Sequence, residues 1–478
     1  MTATYFWHDY ETFGTDPKRD RACQFAGIRT DMDFNIIGDP LMLYCKTPAD
    51  YLPNPEACLI TGITPQLATE KGICEAEFIA AIHEQLAQAG TCGVGYNSIR
   101  FDDEVTRNLL YRNFFDPYAR EWQNGNSRWD LIDIARAARA LRPEGINWPV
   151  NDEGIPSFRL EEITQANDIS HEAAHDALSD VYATIALARL IRQKQPKLYN
   201  YLFTHRSKTA VQKQLQLGSL TPLVHVSGRF PAKKNCMAIV LPLCAHPRNG
   251  NEVIVYDLSV DPDALLALDA DDIRQRLFVA TEDLPEGVER IQLKTVHINK
   301  SPVLAPLSVV RPEDAERLGI DLAQCKLHLA RIQKTSISVL EQKLASVFTT
   351  QYDDTLNDPD MMIYSGGFFS HHDKSLMQKI RCASPEQLAS FRADFEDARL
   401  PEMLFRYRAR NYPETLNVDD AQQWKKFCRS RILDPAAENS MIKFSETLRG
   451  LRERYGDNSP ILSELQAFAA AKQEQLDY

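Results

Sequence analysis

The chain lacks paired cysteines. Its ten are Cys23, Cys45, Cys58, Cys74, Cys92, Cys236, Cys244, Cys325, Cys382 and Cys428, and none forms a C-x-x-C pair. That excludes a zinc ribbon and a dithiol redox centre. Most sit in apolar surroundings such as "EACLI" and "KNCMAIV", which predicts buried reduced thiols and a cytoplasmic protein. Long hydrophobic runs are also missing. The longest lies near Cys236–Cys244, far short of the roughly 20 residues of a membrane span, so no membrane association is expected. The opening "MTATYFWHDYETFG" has neither the basic start nor the apolar core of a signal peptide, and reads as folded structure from the outset. Internal repeats and low-complexity segments are absent. One further scarcity is local: the 71 residues from Val181 to Asn251 contain no Asp or Glu. They carry eleven cations, so a chain of net charge −12 divides into a stretch of +11 and a remainder of −23. Tyr182, Tyr199, Tyr201, Phe203 and Phe230 are interleaved with those cations. Cations with aromatics form the composition of a single-strand binding surface; a solvated helix face followed by ordinary core gives the same pattern.

What is present suggests several domains, since 478 residues exceed one ordinary core. The first 190 or so residues look α/β. "TYFWHDYETFG" and "TCGVGYN" read as short strands and "FNIIGDPLMLYCK" as a hairpin. "EAEFIAAIHEQLAQAG" reads as a helix, and "SIRFDDEVTRNLLYRNFF" as another behind an Asn/Ser cap. A stripe from about 174 to 194 marks a long helix ended by Pro196. Next come β-rich runs, "PLVHVSGRF", "CMAIVLPLCAH" and "NEVIVYDLSV", interrupted by one helix, "DPDALLALDADDIRQRLF". After "QYDDTLNDPD" the pattern is helical to the end. The expected division is therefore 1–195, 196–350 and 351–478.

Three segments carry chemistry. Asp9-Tyr10-Glu11 ends an apolar strand, where alternation puts both carboxylates on one face about 6.5 Å apart. Two carboxylates held beside a core repel unless a cation neutralises them, and hard oxygen donors suit magnesium or manganese. In "GYNSIRFDDEVTRN", a strand gives way to a helix bearing Asp102 and Asp103 in its first two turns. In "SHEAAHDALSD" two frames compete. His171-Glu172-Ala173-Ala174-His175 spells H-E-x-x-H, a zinc-protease pattern. The alternative, His175-Asp176-Ala177 followed by Asp180, puts Asp176 and Asp180 on one helical face, with His175 about 140° round the axis from Asp180. The zinc frame needs a third protein ligand. Leu178 and Val181 stand where the extended motif wants Gly and His, leaving only His205 and His225 as formal candidates.

Taken together, the three segments resemble the DEDDh 3′→5′ exonucleases: D-x-E, then Asn97 with Phe101-Asp102, then H-x-A-x-x-D, in order and with similar gaps. "LITGIT" (59–64) resembles the segment lining the terminal nucleotide. "FWHDYETFG", "RPEGINWP", "PSFRLEEIT", "YLFTHR", "VHINKSPVLAP" and "FRYRARNYPETL" narrow the resemblance to the bacterial exonuclease I family, over nearly the whole chain. It implies a ribonuclease H-like exonuclease domain with a mixed sheet, an SH3-like β-barrel domain and an all-helical C-terminal domain. It also implies degradation of single-stranded DNA from the 3′ end to 5′-mononucleotides, in DNA repair and recombination. Asp9, Glu11, Asp102 and Asp180 would hold two Mg2+ ions, for which Mn2+ can substitute, and His175 would be the general base. Glu11, Thr12, Phe101 and Arg159 would contact substrate; the acid-free stretch, not the resemblance, puts Arg206 and Lys208 on the expected DNA path. Arg159 could instead pair with Glu161 or Glu162. Single-stranded DNA-binding protein is the implied protein partner of a monomeric enzyme. An RNA-directed relative or a catalytically silent DNA-binding adaptor are the alternatives; the first is a much shorter kind of chain, and the second does not account for five intact catalytic positions.

Overall fold

The computed structural model describes residues 3–171, 176–349, 358–456 and 459–477. The chain forms two compact units. The first gathers residues 1–127, 171–182 and 354–478; the second holds 128–170 and 183–353. The units thus cut across the three-part succession expected from the sequence.

In the first unit, strand β1 (Thr4–Thr12) pairs antiparallel with β2 (Ala22–Thr30) and parallel with β4 (Thr91–Gly95). Strand β3 (Leu41–Tyr44) lies antiparallel on the other side of β2, so the sheet is mixed. The hairpin expected within Phe34–Lys46 is therefore displaced. Its first strand is β2, and Ile36 contributes only an isolated bridge to Thr30. Almost every residue of β2 is buried, which erases the alternation that would have marked it. Helices α1 (Pro55–Thr61), α2 (Pro65–Lys71), α3 (Glu75–Leu86) and α4 (Asp102–Arg112) follow the early strands. Phe6 and Tyr10 of β1 share a core with Phe25, Phe78, Ile82, Val105 and Leu109. Alternation then sends Asp9 and Glu11 to the opposite face, in line with Tyr5 and Trp7.

The C-terminal helices of the same unit close a second core. Trp424, Phe444, Leu448 and Leu462 pack with Phe13, Tyr51 and Cys58. Beside it, Arg410 bridges buried Asp50 and Asp360 at 2.8 and 2.6 Å, and these guanidinium contacts hold the Asp50 carboxyl far below its usual range despite the burial. Such a pair tolerates burial because each charge keeps a hydrogen-bonded partner.

Strand β5 (Ser127–Asp130) starts on the last residue of the first unit. The second unit contains α5 (Leu131–Leu141) and α6 (Leu160–Ala166). Helix α7 (Ala177–Lys194) begins in the first unit and continues into the second. Pro196 then opens α8 (Pro196–Thr204), and α9 (Lys208–Leu215) follows. Five antiparallel strands come next: β6 (Leu223–Val226), β7 (Met237–Ala245), β8 (Glu252–Asp257), β9 (Leu293–His297) and β10 (Val303–Pro306), in the order β10-β6-β7-β8-β9. Val211, Val240, Val255, Val296 and Leu304 form their core. The single helix expected after β8 is two, Asp263–Ala267 and Ala270–Phe278. Asp269 breaks the run by capping the second through the N–H groups of Asp271 and Asp272. After Pro306 the described residues contain helices but no strand. All ten cysteines are free thiols, Cys382 being exposed and Cys74 half-buried. No described helix is long and apolar enough to cross a membrane.

Candidate active site

The pairing of β1 explains why its end can carry ligands. β4 pairs with β1 only from Thr4 to Trp7. Beyond that, the chain turns away at Asn97, whose φ of 62° is left-handed. Gly95 makes the departure possible, since a Cβ there would meet the His8 carbonyl oxygen at 2.8 Å. The Tyr10 N–H, left without a strand partner on this side, donates to Asp102 Oδ1 at 3.0 Å. A side chain has taken over the ladder position, which ties Asp102 to the backbone between Asp9 and Glu11. Helix α4 starts at Asp102, four residues later than an Asn/Ser cap predicts; Phe101 occupies the cap position. Neighbouring Asp103 is engaged elsewhere, accepting from Arg120 Nη2 at 2.6 Å in a buried pair.

Across the site, α7 delivers Asp180. Asp9, Glu11 and Asp180 each offer an oxygen, and the three lie within 4.8 Å of one another. This is near the width of one magnesium coordination shell, about 4.2 Å across. Glu11 is buried and Asp9 and Asp180 partly so. Burial, then the neighbouring carboxylates Asp102, Glu11, Asp180 and Asp176, push the Asp9 carboxyl well above its usual range. Burial and the charges of Asp180, Asp102 and Asp176 push Glu11 up to about 8. Carboxylates crowded this way take up either protons or cations, and an all-oxygen donor set fits a hard divalent ion. Asp102 raises both neighbours electrostatically but stands outside the three-oxygen group.

The other sequence candidates fall as follows. His175 and Glu172 lie outside the described residues. His171 is in a loop, and α7 begins only at Ala177, so the first histidine of the H-E-x-x-H frame is not helical. Its Nε2 approaches Asp180 Oδ1 at 2.5 Å. Thr12 is buried and donates to the Gly14 carbonyl at 2.6 Å. Phe101 packs against the core shared by β1 and α4. The "LITGIT" segment forms the α1–α2 junction: Gly62 ends α1 at φ 71°, and Thr64 caps α2. In the second unit, exposed Arg159 pairs with Glu161 at 2.6 Å and approaches Glu162 at 3.7 Å. Arg206 lies over the Phe203 ring at 3.6 Å and donates to the Phe203 carbonyl at 2.5 Å, while exposed Lys208 donates to Asn251 at 2.7 Å. One site residue gave no signal in sequence. Gln24, directly opposite Glu11 in the β1–β2 register, accepts the Ala177 N–H on Oε1 and points Nε2 at Asp176 Oδ2, 3.5 Å away. Asp176, expected on a helical face with Asp180, instead precedes α7 as its cap, accepting from the Ser179 N–H.

Three family models match the chain: Exonuclease over residues 6–188, Exonuclease I SH3-like domain over 206–350 and Exonuclease I C-terminal domain over 357–472. The exodeoxyribonuclease I of Haemophilus influenzae is 49% identical over 464 residues, 97% of either chain. The chain belongs to the exonuclease I family. Two solved structures of Escherichia coli exonuclease I match with TM-scores of 0.94. One is a complex with a dA16 oligonucleotide, 46% identical and covering 99% of this chain and 100% of that one. The other is the zinc-bound form of a complex with single-stranded DNA, 45% identical and covering all of both. The ribonuclease H-like, SH3-like and helical parts expected from the sequence are those of this exonuclease I family.

Proposed function

We propose that the protein removes 5′-mononucleotides from the 3′ end of single-stranded DNA, and that Asp9, Glu11, Asp102 and Asp180 would hold two Mg2+ ions. The observation that carries this reading is the grouping of three carboxylate oxygens within 4.8 Å of one another, backed by the Tyr10–Asp102 hydrogen bond, in a member of the exonuclease I family. When bound, the cations supply the charge that sharpens water as a nucleophile and stabilises the departing 3′ oxygen. The chain's own groups do the rest. The carboxylates fix the site against the scissile phosphate, and Glu11 also accepts from the terminal 3′-OH. His175 takes the proton of the attacking water, its ordinary pKa suiting it to neutral pH. Thr12 and Phe101 contact the terminal nucleotide, and Arg159 holds a substrate phosphate. We assign these activities to functional parts at 1–195, 196–350 and 351–478, working as a cytoplasmic monomer that single-stranded DNA-binding protein recruits in repair and recombination.

One comparison tests the reading. Single-stranded DNA, duplex DNA and RNA are offered with magnesium, with chelator and with zinc. Single-stranded DNA with magnesium should be degraded from a free 3′ end, stall at duplex and resist a 3′-phosphate. Cutting of circular single strands, or equal rates on RNA, would overturn it.

A further inference from the structure

We propose that His171 is a positioning residue of the metal centre, its ring N–H fixing the Asp180 carboxylate where an ion shared with Asp9 and Glu11 needs it. This rests on the two-metal reading above. The two side chains are largely buried, with exposures of 6% for His171 and 17% for Asp180, and Nε2 stands 2.5 Å from Oδ1. An ionised carboxylate only accepts hydrogen bonds, so the proton on that line belongs to the ring nitrogen. Asp180 has two oxygens; the ring engages Oδ1, and a carboxylate oxygen of Asp180 lies within 4.8 Å of oxygens of Asp9 and Glu11.

The need for such a hold follows from the charges. Asp9, Glu11 and Asp180 repel one another before a cation arrives. Asp180 lies in the first turn of α7. The backbone there is secured by Gln24 and the Asp176 cap, which accept from the Ala177 and Ser179 N–H groups. His171 acts on the carboxylate itself, holding the acid in place against the repulsion. Outer partners of metal ligands typically contribute 10–100-fold in metal affinity or activity.

The test is Mn2+ binding to the full-length, DNA-free protein, read from the electron paramagnetic resonance signal of free Mn2+. His171→Phe keeps the ring's bulk and removes the donor; it should weaken Mn2+ at least about tenfold. His171→Gln keeps an N–H of similar reach and should recover most of that loss. Raising Mn2+ should restore His171→Phe turnover on single-stranded DNA, with KM for DNA unchanged. If His171→Phe fails to fold, His171→Asn, too short to reach Asp180, replaces it. Unchanged or tighter Mn2+ binding would overturn the proposal, the tighter case meaning that ring and ion compete for one oxygen. A His171→Gln variant as defective as His171→Phe would overturn it in favour of direct ligation. Asp180→Asn is the control: if it leaves Mn2+ binding intact, the two-metal reading itself fails, independently of His171.

Discussion

A carboxyl held near 8 in the absence of a cation makes Glu11 largely protonated at pH 7. Its ordinary value is 4.5, so the native state holds a proton that the unfolded chain has released between those limits. Stability from this group is fully present below about 4.5 and is lost as pH rises toward about 8. In chelator, the melting temperature should therefore carry a component that falls from pH 5 to 8.5, and Glu11→Gln should flatten it. Mg2+ must displace the same proton, so the stabilisation it adds should grow over the same range. A chelated protein that grows more stable through Glu11 as pH rises would refute the crowded-carboxylate account. The two frames of "SHEAAHDALSD" separate at the same scale. His175→Ala should cost on the order of 10²–10⁴ in turnover, the worth of a general base, while Glu172→Gln stays near wild type. Quenched-flow rates on a short 3′-labelled oligonucleotide would decide it, and an inactive Glu172→Gln would restore the zinc frame.

Among the elements, α7 bears the greatest functional weight, because its start sets Asp180. Gln24 on β2 fastens that start by accepting the Ala177 N–H. Gln24→Met keeps the bulk and leaves a buried N–H without this acceptor, which should destabilise by about 1–3 kcal/mol. It should also lower kcat through displacement of Asp180, with KM for DNA little changed. Calorimetry and single-turnover kinetics together check this; full kcat with a lowered melting temperature would reduce Gln24 to a structural role. Gln24 also marks where the sequence stops being legible. Asp9, Glu11, Asp102 and Asp180 could be picked out because their motifs stand in family order, and the structure brings Asp9, Glu11 and Asp180 within 4.8 Å of one another. A glutamine that braces a helix can be any residue of suitable reach, and β2 around it is buried on both faces, so no alternation betrays it. The start of α4 was misplaced for a related reason. Asn97 and Ser98 look like caps, yet the turn off β4 has a left-handed residue at 97 and postpones the helix to Asp102. The all-antiparallel sheet of the second unit was readable in β6, β7 and β8. Strands β9 and β10, short and polar-flanked in "LKTVH" and "VLAP", were not.

For the molecule as a whole, the carboxylate site lies within the first unit, while the eleven cations of the acid-free stretch lie in the second. On the proposed reading, chemistry and strand attraction are carried by separate parts of one chain. Cations that contact phosphates release counterions, so log affinity should fall with log salt by about 0.7 per contact on single strands. The structure separates the two residues that the sequence put together on this path. Lys208 is exposed, and as the first residue of α9 its charge opposes the helix dipole. Lys208→Glu should therefore fold normally, weaken binding of long oligonucleotides and make the salt slope shallower by roughly one contact's worth. Arg206 is committed to its own helix end, stacked on Phe203 and bonded to the Phe203 carbonyl. Arg206→Glu should lower the melting temperature and reduce turnover of long and short substrates alike, with an unchanged slope. A dinucleotide, which reaches only the carboxylates, is the discriminating substrate: it should be cleaved normally by Lys208→Glu and poorly by Arg206→Glu. If Lys208→Glu leaves the slope untouched, Lys208 lies off the path. The same test extended to Lys213, Arg229 and Lys233 would then show whether any of the acid-free stretch is a DNA track.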